Sequence, residues 1–584
     1  MKNKRQAATL LFATSYFIAS YTGVNVSAES EDVSPAVSVE RKPNIIYILA
    51  DNLGFGDVGF NGQMYVETPN IDRLAQDGMQ FTQHYAGCTI CAPSRCSLIT
   101  GLHTGHCTVK ANDDTPLNAE DVTVAELLQK NGYKTGIIGK WGLGNFGTTG
   151  FPNKKGFDYF FGFDDQTLAH SYYPATLYRN AEIVKLNNTA TQKKDYTHDL
   201  FTNEALEFIK NNKDSPFYLY LAYTIPHSEL VVPDLGEYAN EKWPEKEKIF
   251  AAMVSRMDRD IGKLQEKLVE CGIEKNTVVM FASDNGPQNT DGHDPAFFKS
   301  SGPFRGIMRD MYEGGIRVPF VVKWPGKIQA GSSSDHISGF WDFMPTACEI
   351  AGINPPEGID GISYLPTLLG KGQQKKHEYM YWEFHEKGGK RAVRMDDWKA
   401  VRLNADKNPN SPLELYNLKT DIMEKNNIAS KHPDIVAKME QIMKSAVGKP
   451  TVKVSGSTTV NTPQTASNHN TIKVEIDGIS HTFNPAPILV NDRTMVPMRA
   501  IFEIMGATVS WEEATETVTA VKGDTTVVLK IGSTEAKVNG ATKVLDAPAM
   551  LYQDRTMVPL RFISEALGAD VEWVEATNTV KITR

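Results

Sequence analysis

Short, almost purely apolar segments recur along the first part of the chain, and polar residues follow each of them closely. The run Asn44–Ala50 is continuous and has the length of a buried strand. The segments 135–138, 217–222 and 277–282 have the same character, and stretches with helical spacing separate them. This alternation predicts an α/β fold in which helices cover both faces of a central, mostly parallel sheet.

Four polar residues follow these four predicted strands. They are Asp51, Lys140, His227 and Asp284. Ligands of open α/β sheets bind outside the carboxyl ends of the strands, so we expect these residues to line one shared pocket.

The apolar pattern changes near the end of this first part. Short alternating segments run from residue 379 to residue 402, and helical spacing follows at about 434–446. We therefore predict a small antiparallel subdomain at about residues 370–445, packed against the α/β part.

The last part of the chain contains an internal repeat. The segment Asp492–Arg499 recurs as Asp554–Arg561, and the same offset carries Trp511 onto Trp573. Each copy is predicted to have short strands, a helix with a glycine at its end, and a strand that bears the tryptophan. We place the two repeats at about 471–525 and 526–584, as a separate α+β module. Residues 446–470 have the composition of a linker.

The first residues have the pattern of an export signal. A basic start that ends at Arg5 precedes the apolar stretch Ala7–Tyr21, and Val26–Ala28 offers a small-residue cleavage site. We expect residues 1–28 to be removed and the protein to be secreted or attached to the cell wall. A single membrane anchor is the alternative, but the stretch is shorter than the roughly 20 residues that a spanning helix needs.

Composition and charge narrow the class of protein. A chain of 584 residues, 41% of them hydrophobic, has enough apolar material for roughly two or three packed domains. The net charge of −9 argues against a nucleic-acid partner.

The six cysteines are too sparse for a disulfide scaffold. Cys88, Cys91, Cys96 and Cys107 lie close together in the sequence, with histidines nearby, so a zinc cluster is one interpretation. Their spacings fit no common zinc pattern.

The segment Cys91-Ala92-Pro93-Ser94-Arg95, with Thr100-Gly101 downstream, carries the most specific signal. It resembles the signature of the type I sulfatases of the alkaline phosphatase superfamily, and four further segments between about Lys42 and Lys444 agree with it. The resemblance implies an alkaline-phosphatase-like sandwich over residues 29–445. It also implies that a formylglycine-generating enzyme oxidises Cys91 to formylglycine (3-oxoalanine), and that the protein hydrolyses the sulfate ester of a glycan or an aryl alcohol.

Two acidic loops predict a metal site. One carries Asp51 and Asn52, and the other carries Asp284 and Asn285. Such oxygen donors suit Ca²⁺, or alternatively Mg²⁺, and do not suit zinc. Either loop alone would be an ordinary turn or helix cap, but together with Cys91 they resemble the sulfatase calcium site. The family has a second Asp where this chain has Asn52, so we expect weaker metal binding.

The remaining reactive groups are assigned partly from position and partly from the resemblance. Pro93 suits the first turn of a helix, which places Cys91 at a helix N-terminus that favours a sulfate. Arg95 lies one turn further on and can reach the same point. The resemblance makes Lys140 a sulfate ligand and His227 the acid that protonates the departing alcohol.

The same resemblance supplies the rest of the reaction. A hydroxyl of the hydrated aldehyde attacks the sulfur after a carboxylate, expected to be Asp284, has taken its proton. Lys140, Arg95 and the metal stabilise the charge that develops on the sulfuryl oxygens.

Two further positions depart from the family pattern. Gly139–Gly144 resembles the family's Gly-Lys-Trp-His-Leu-Gly, with Gly142 in place of the histidine. The segment 305–319 resembles the family's lysine-containing loop, but the lysine position holds Met308. Arg309 is the candidate replacement for that lysine. His170 and His293 are candidates for substrate subsites or for the missing histidine, and Tyr172, Tyr173 and Tyr178 are candidates for stacking on sugar rings.

The C-terminal repeats resemble the copper amine oxidase N-terminal-like, or stalk, module of exported proteins from Gram-positive bacteria. They contain one histidine, His481, which is too few for a copper site. Their repeated Arg and Trp residues could bind a cell-wall polymer or could be structural.

Three other functions remain open at this point. Related phosphodiesterases and phosphonate hydrolases share the superfamily. The substitutions at Asn52, Gly142 and Met308 would also fit a weakened relative that only binds sulfated glycans. The third alternative is a wall-attachment protein whose main function lies in the repeats.

Overall fold

A computed structural model describes residues 41–448, 450–454 and most of 473–583. Within the last range, residues 482–486, 491–492, 513–514, 516, 531–532, 546, 548, 553–554 and 575–578 are not described. The predicted signal peptide 1–28 and most of the predicted linker lie outside the described residues. Across the described ranges, no helix has the length and apolar character needed to cross a membrane.

The part of the chain before residue 449 alternates strands and helices. Its strands are β1 (Asn44–Ala50), β2 (Met79–Phe81), β3 (His84–Tyr85), β4 (Lys134–Lys140), β5 (Tyr159–Phe163), β6 (Thr176–Arg179), β7 (Glu182–Lys185), β8 (Phe217–Ala222), β9 (Thr277–Ser283), β10 (Phe320–Lys323), β11 (Ser332–Ser334), β12 (Ser338–Gly339), β13 (Met380–Phe384), β14 (Lys390–Met395), β15 (Trp398–Leu403) and β16 (Leu413–Asn417). Its helices are α1 (Pro69–Asp77), α2 (Cys91–Thr100), α3 (Val124–Lys130), α4 (Thr197–Asn212), α5 (Glu245–Glu270), α6 (Glu313–Ile316), α7 (Phe343–Ile350), α8 (Leu365–Leu369) and α9 (Pro433–Ser445).

The central sheet has the strand order β11-β2-β10-β9-β1-β8-β4-β5-β6-β7. The pairings among β9, β1, β8, β4 and β5 are all parallel. The predicted mostly parallel sheet is therefore confirmed. Each of these strands ends at the same edge, and Ala50 pairs with Ser283 while Lys140 pairs with Phe163.

Both faces of the sheet are covered because alternate residues of each central strand enter different cores. In β1, Ile45, Tyr47 and Leu49 pack in one core together with residues of α2, α3 and α7. Ile46 and Ile48 pack in the other core, with residues of α1, α4 and α5. Burial on both faces explains why β1 reads as a continuous apolar run rather than an alternating one.

The small subdomain forms where the sequence pattern changed. β13, β14, β15 and β16 pair in chain order, and every pairing is antiparallel. Helix α9 covers one face of this sheet through Met439 and Met443.

The chain does not leave this body at residue 446. Lys453 and Glu357 exchange two backbone hydrogen bonds of 2.8 and 2.9 Å, and Val452 packs against the core that contains α2. Residues 450–454, predicted as the start of a linker, are therefore attached to the α/β part.

In its described residues, the C-terminal module consists of strands and two α-helices. Its strands are β17 (Lys473–Ile476), β18 (Ile479–His481), β19 (Ile488–Val490), β20 (Arg493–Pro497), β21 (Thr508–Glu512), β22 (Thr517–Lys522), β23 (Thr525–Lys530), β24 (Glu535–Val538), β25 (Ala541–Val544), β26 (Met550–Tyr552), β27 (Arg555–Pro559), β28 (Asp570–Val574) and β29 (Thr579–Thr583), and its helices are α10 (Met498–Ile504) and α11 (Leu560–Ala566). Gly506 and Gly568, just after the helices, share a left-handed φ of +83°, as the predicted helix ends require.

The two repeats interlock instead of folding one after the other. β20 of the first repeat pairs with β27 of the second, and β17, at the start of the first, pairs with β29, at the end of the second. The boundary predicted near residue 525 falls at the turn between β22 and β23, inside one sheet. Both repeats contribute to a single hydrophobic core.

Candidate active site

Two of the four residues predicted at strand ends, Asp51 and Lys140, form a buried ion pair at the centre of the site. Asp51 follows β1, and its Oδ2 accepts hydrogen bonds from Lys140 Nζ at 2.7 Å and Arg95 Nη2 at 3.2 Å. All three side chains are fully buried. Burial alone would raise the pKa of Asp51, but Lys140, His227 and Arg95 outweigh it and hold the pKa well below its usual range.

Arg95 connects the two acidic loops. Its Nη2 and Nε donate to Asp284 Oδ2 at 2.7 and 3.1 Å, and its Nη1 donates to the carbonyl of Lys140 at 3.0 Å. Burial, and then the charge of Asp51, raise the pKa of Asp284 to about 6. Arg95 is thus held in one orientation by the ends of β1, β4 and β9.

Cys91 lies at the start of helix α2, as the position of Pro93 predicted. The side chain of Asn112 caps the first turn by accepting a hydrogen bond from Ala92 N at 2.9 Å. Cys91 Sγ lies 3.5 Å from Asp51 Oδ1 and 4.0 Å from Asn52 Oδ1. Burial and the nearby charge of Asp51 raise the pKa of the Cys91 thiol. An unmodified thiol here would be a poor nucleophile at neutral pH.

The carboxylate nearest to Cys91 is not the one expected from the sequence. Asp284 was expected to take the proton of the attacking hydroxyl, but Arg95 and the backbone N–H of Asn52, at 3.0 Å, engage its two oxygens. Asp51 Oδ1 is the carboxylate oxygen in contact with residue 91.

Asn52, Asp284 and Asn285 bring further oxygen donors to the same place. Asn52 has a left-handed φ of +64°, which turns its backbone toward the second loop. Its Oδ1 accepts a hydrogen bond of 2.5 Å from Asn285 Nδ2, and its Nδ2 donates to Gln288 at 3.0 Å. The Oδ1 of Asn285 is buried and has no hydrogen-bond partner among the described residues.

This set of donors fits a calcium ion. Two carboxylates and two amides provide hard oxygen ligands, and the unpaired Asn285 oxygen is a ligand atom that the protein itself does not satisfy. The side chains that would hold the ion are Asp51, Asn52, Asp284 and Asn285, with residue 91 beside them.

The structure brings His227 and His170 together over this cluster. Their rings stack with centroids 4.0 Å apart and an angle of 13° between the planes. His227 Nδ1 makes a short contact with the carbonyl oxygen of Ser228, which leaves Nε2 for the pocket. Burial lowers the pKa of His227 to about 4, although Asp51 opposes this, and burial lowers the pKa of His170 to about 3.

His293 lies in a different environment from the one proposed for it. Its Nδ1 is 2.7 Å from Glu247 Oε2, and its ring stacks on Phe250 at 4.0 Å, so its partners are both on helix α5. The residue is 1% exposed. These contacts fit a histidine that packs helix α5 and not one that contacts a substrate beside Cys91.

Arg309 does not replace the family's lysine. Its guanidinium pairs with Glu386 at 3.1 Å, and its backbone N–H donates to the carbonyl of Thr89 at 3.0 Å. Met308 packs partly buried among apolar residues that include Cys88 and Ile90. The loop therefore reaches the start of helix α2, while the Arg309 side chain is directed to Glu386.

Tyr172 is not available to stack on a sugar ring. It is 2% exposed, and its hydroxyl donates to the carbonyls of Thr224 and His227 at 2.8 and 2.6 Å. It holds the segment that carries His227. Tyr178 is covered in part by Phe146, whose ring stacks on it at 5.6 Å.

The cysteines do not form a common metal cluster among the described residues. Cys88 Sγ contacts the carbonyl of Glu383, Cys107 Sγ contacts that of Leu102, and Cys91 faces Asp51. His103 and His106 instead pair with Asp360.

Sequence reasoning missed several residues of the site. Asn112 and Gln288 gave no signal, because each depends on a contact with a residue distant in the sequence. Gln166 follows β5, whose apolar run Phe160-Phe161-Gly162-Phe163 was not recognised as a strand. Recognising that strand would have placed residues 164–166 at the same edge as Lys140.

Comparisons with family models cover nearly all of the described chain. Residues 43–353 match the model described as Sulfatase, and residues 307–449 match that of N-sulphoglucosamine sulphohydrolase, C-terminal. Residues 475–582 match the copper amine oxidase N-terminal domain, which agrees with the resemblance of the repeats to the stalk module.

Individual relatives also match this chain over most of its length. The N-acetylgalactosamine-6-O-sulfatase of Bacteroides thetaiotaomicron is 31% identical over 519 residues, covering 73% of this chain and 97% of that enzyme. Arylsulfatase G of Rattus norvegicus is 30% identical over 71% of this chain and 86% of its own length.

Solved structures show the same relationship. Ps i-CgsB in complex with k-i-k-neocarrahexaose has a TM-score of 0.62 and 31% identity over 69% of this chain and 92% of that one. The phosphonate monoester hydrolase of Agrobacterium radiobacter, with a TM-score of 0.53 and 20% identity over 69% of this chain and 95% of that one, shares the fold alone.

Proposed function

We propose a specific mode of action for this chain, which belongs to the sulfatase family and is a sulfuric ester hydrolase. In this mode of action, the enzyme removes sulfate from a sugar hydroxyl of a sulfated glycan outside the cell. It uses a bound calcium ion and a formylglycine that is made from Cys91. The observation that carries the proposal is the buried cluster in which Cys91, Lys140 and Arg95 all contact Asp51.

The position of Cys91 supports its conversion to the aldehyde by a formylglycine-generating partner. As a thiol it is buried, and burial raises its pKa, which makes it a poor nucleophile at neutral pH. The hydrated aldehyde would supply a hydroxyl that attacks sulfur, and its second hydroxyl would allow the sulfate to be expelled. Cys91 begins helix α2, and Asp51, which lies 3.5 Å from Cys91 Sγ, is contacted by the cations Lys140 and Arg95.

The chain's own groups bind and orient the ester. Lys140 and Arg95 are fixed by Asp51 and Asp284, so they present charge to the sulfuryl oxygens without reorganisation. Calcium held by Asp51, Asn52, Asp284 and Asn285 would add Lewis-acid stabilisation of the same oxygens. His227, whose Nδ1 faces the Ser228 carbonyl, would give a proton from Nε2 to the departing alcohol oxygen in its protonated form, which the negative charge of a bound sulfate favours.

The substrate class is proposed from the relatives. One relative, which is matched over nearly its whole length, is named for its action on 6-O-sulfated N-acetylgalactosamine. One structural neighbour was solved in complex with a neocarrahexaose. We place this chain among the glycan-active sulfatases, with 6-sulfated N-acetylgalactosamine as the first substrate to test. The export signal and the repeats make secretion or wall attachment part of the proposal.

The decisive experiment uses protein produced together with a formylglycine-generating enzyme, with the aldehyde at residue 91 verified by mass spectrometry. We expect turnover of 6-sulfated N-acetylgalactosamine or another sulfated saccharide, and none with Cys91→Ala. Cys271→Ala is the matched control and should keep the wild-type rate. Turnover of aryl phosphate or phosphonate esters in preference to sulfates would contradict the proposal, as would a mature active protein with an unmodified thiol.

A further inference from the structure

The space beside Gly142 is filled by a residue from the loop that follows the neighbouring strand β5. Gly142 follows Lys140 by two positions and has a left-handed φ of +72°. A Cβ atom at position 142 would lie 2.2 Å from the Oε1 of Gln166. Gln166 therefore occupies the direction in which a side chain at position 142 would project.

Gln166 reaches this place because its loop leaves the sheet beside the loop of Lys140. Phe163, the last residue of β5, pairs with Lys140 in parallel register. Trp141 N donates to the carbonyl of Phe163 at 3.2 Å, which continues the pairing one step beyond the strand. Both loops therefore start at the edge of the sheet where the pocket lies.

The amide of Gln166 is buried and unpaired. The residue is 7% exposed, and neither Nε2 nor Oε1 has a hydrogen-bond partner among the described residues. Leaving a buried polar group unpaired costs stability, and folded proteins pair nearly all such groups. His170, four residues further on, also has an unpaired buried Nε2, and its ring stacks on His227.

We propose that Gln166 contacts the bound ester and takes the hydrogen-bonding place that a histidine at position 142 has in the family pattern. This inference rests on the proposed function. A sulfate offers only acceptor oxygens, so Nε2 donates to the ester, while Oε1 accepts from a sugar hydroxyl. An amide does not titrate near neutral pH, so Gln166 orients the ester and proton transfer stays with His227.

Four variants test this assignment, each with its formylglycine content verified. Gln166→Ala should lower kcat/KM by about 10²-fold, the scale of one oxyanion donor, without moving the pH profile. Gln166→Glu keeps the shape but adds a charge that repels sulfate, so it should lower kcat/KM further, mainly through KM. Gly142→His alone should be impaired because its side chain would meet Gln166.

The double variant Gly142→His/Gln166→Ala provides the sharpest test of the assignment. Removing Gln166 opens the space, and histidine tolerates the left-handed backbone better than most residues. We expect kcat/KM of the double variant to be about tenfold higher than that of Gln166→Ala, because the histidine restores part of the lost hydrogen bonding to the ester. A double variant that is less active than either single variant would overturn the replacement of one group by the other.

Binding gives a readout that does not depend on turnover. In a Cys91→Ser background, Gln166→Ala and Gln166→Glu should weaken binding of 6-sulfated N-acetylgalactosamine or an aryl sulfate in calorimetry. Gln129→Ala is the matched control, since Gln129 bonds to Asp158 near the opposite end of β4. Wild-type binding and kinetics in both Gln166 variants would overturn the inference. Weakened binding together with a wild type that turns over no ester would uphold it and sink the proposed function.

Discussion

At the scale of single residues, the site combines groups that follow the family pattern with three that depart from it. Cys91, Lys140 and Arg95 meet at Asp51 in a fully buried cluster. The departure at position 52 removes one negative charge from the metal ligands, that at position 142 removes one hydrogen-bond donor, and that at position 308 removes one cation. Each departure predicts a different measurable effect.

Asn52→Asp should tighten calcium binding by about tenfold, because ligand charge is a main determinant of affinity in oxygen-donor sites. The gain is opposed by the loss of the hydrogen bond from Asn52 Nδ2 to Gln288. Calorimetric titration with Ca²⁺ measures the change, with Asn240→Asp on the exposed surface as the control for added charge. Weaker binding in Asn52→Asp would show that the contact with Gln288 dominates.

The missing lysine predicts an asymmetric result for two neighbouring positions. Arg309→Ala should change the rate on an aryl sulfate by no more than about twofold, because Arg309 is engaged in a partly exposed ion pair with Glu386. Met308→Lys should raise the rate, by less than the roughly 10²-fold that one well-placed donor provides, since the new side chain must leave an apolar cluster. A large loss of rate in Arg309→Ala would show instead that Arg309 supplies the missing cation.

At the scale of elements, helices are positioned by side chains from other helices. Asp258 of α5 caps the first turn of α1 by accepting hydrogen bonds from Asn70 N and Ile71 N at 3.0 and 2.7 Å. This contact fixes α1 to α5 on one face of the sheet. Burial raises the pKa of Asp258 to about 6, although these hydrogen bonds oppose it.

Asp258→Ala should lower the free energy of unfolding by about 1–3 kcal/mol, as the helix donors lose their acceptor. The raised pKa sets the pH dependence: the folded state binds the proton more tightly than the unfolded state, so this group favours folding as pH falls below about 6 and opposes it above. The wild type should therefore gain stability relative to Asp258→Asn between pH 7 and pH 4. Urea unfolding at both pH values measures this, and an unchanged difference would contradict the assignment.

At the scale of the whole molecule, the boundary between the catalytic part and the repeats lies later than composition suggests. The chain stays attached to the α/β part through Lys453 and Val452. Every proposed site residue precedes residue 310, so the repeats are not needed to build the pocket.

A protein truncated after Val454 should keep the full rate on small substrates, whereas one truncated after Gly448 should be less stable. The shorter form loses two backbone hydrogen bonds and the packing of Val452, together about 2–4 kcal/mol. Thermal unfolding and activity measured on both forms test this. Equal melting temperatures would show that residues 450–454 contribute nothing.

Full-length protein and the form ending at Val454 together test the proposed role of the repeats. Full-length protein should be retained on purified cell wall, and the form ending at Val454 should not. Trp573, which is 38% exposed, is a residue to change in the full-length protein; the side chains of Arg499 and Trp511 lie outside the described part. Equal retention of both forms would exclude wall attachment by the repeats.

The sequence by itself determined the fold class and the principal chemistry. Continuous apolar runs of strand length are typical of a parallel sheet covered on both faces, and polar residues that follow such strands then share one edge of the sheet. Periodicity also identified the antiparallel subdomain and the two C-terminal helices. These features are local patterns, which a linear sequence records directly.

The tertiary structure alone decided which neighbours each side chain meets. It directed Arg309 to Glu386, packed His293 against helix α5, buried Tyr172 behind His227 and placed Gln166 beside Gly142. It also exchanged strands between the two repeats. Each outcome depends on contacts between residues far apart in the chain, and these contacts leave no periodic trace in the sequence around either partner.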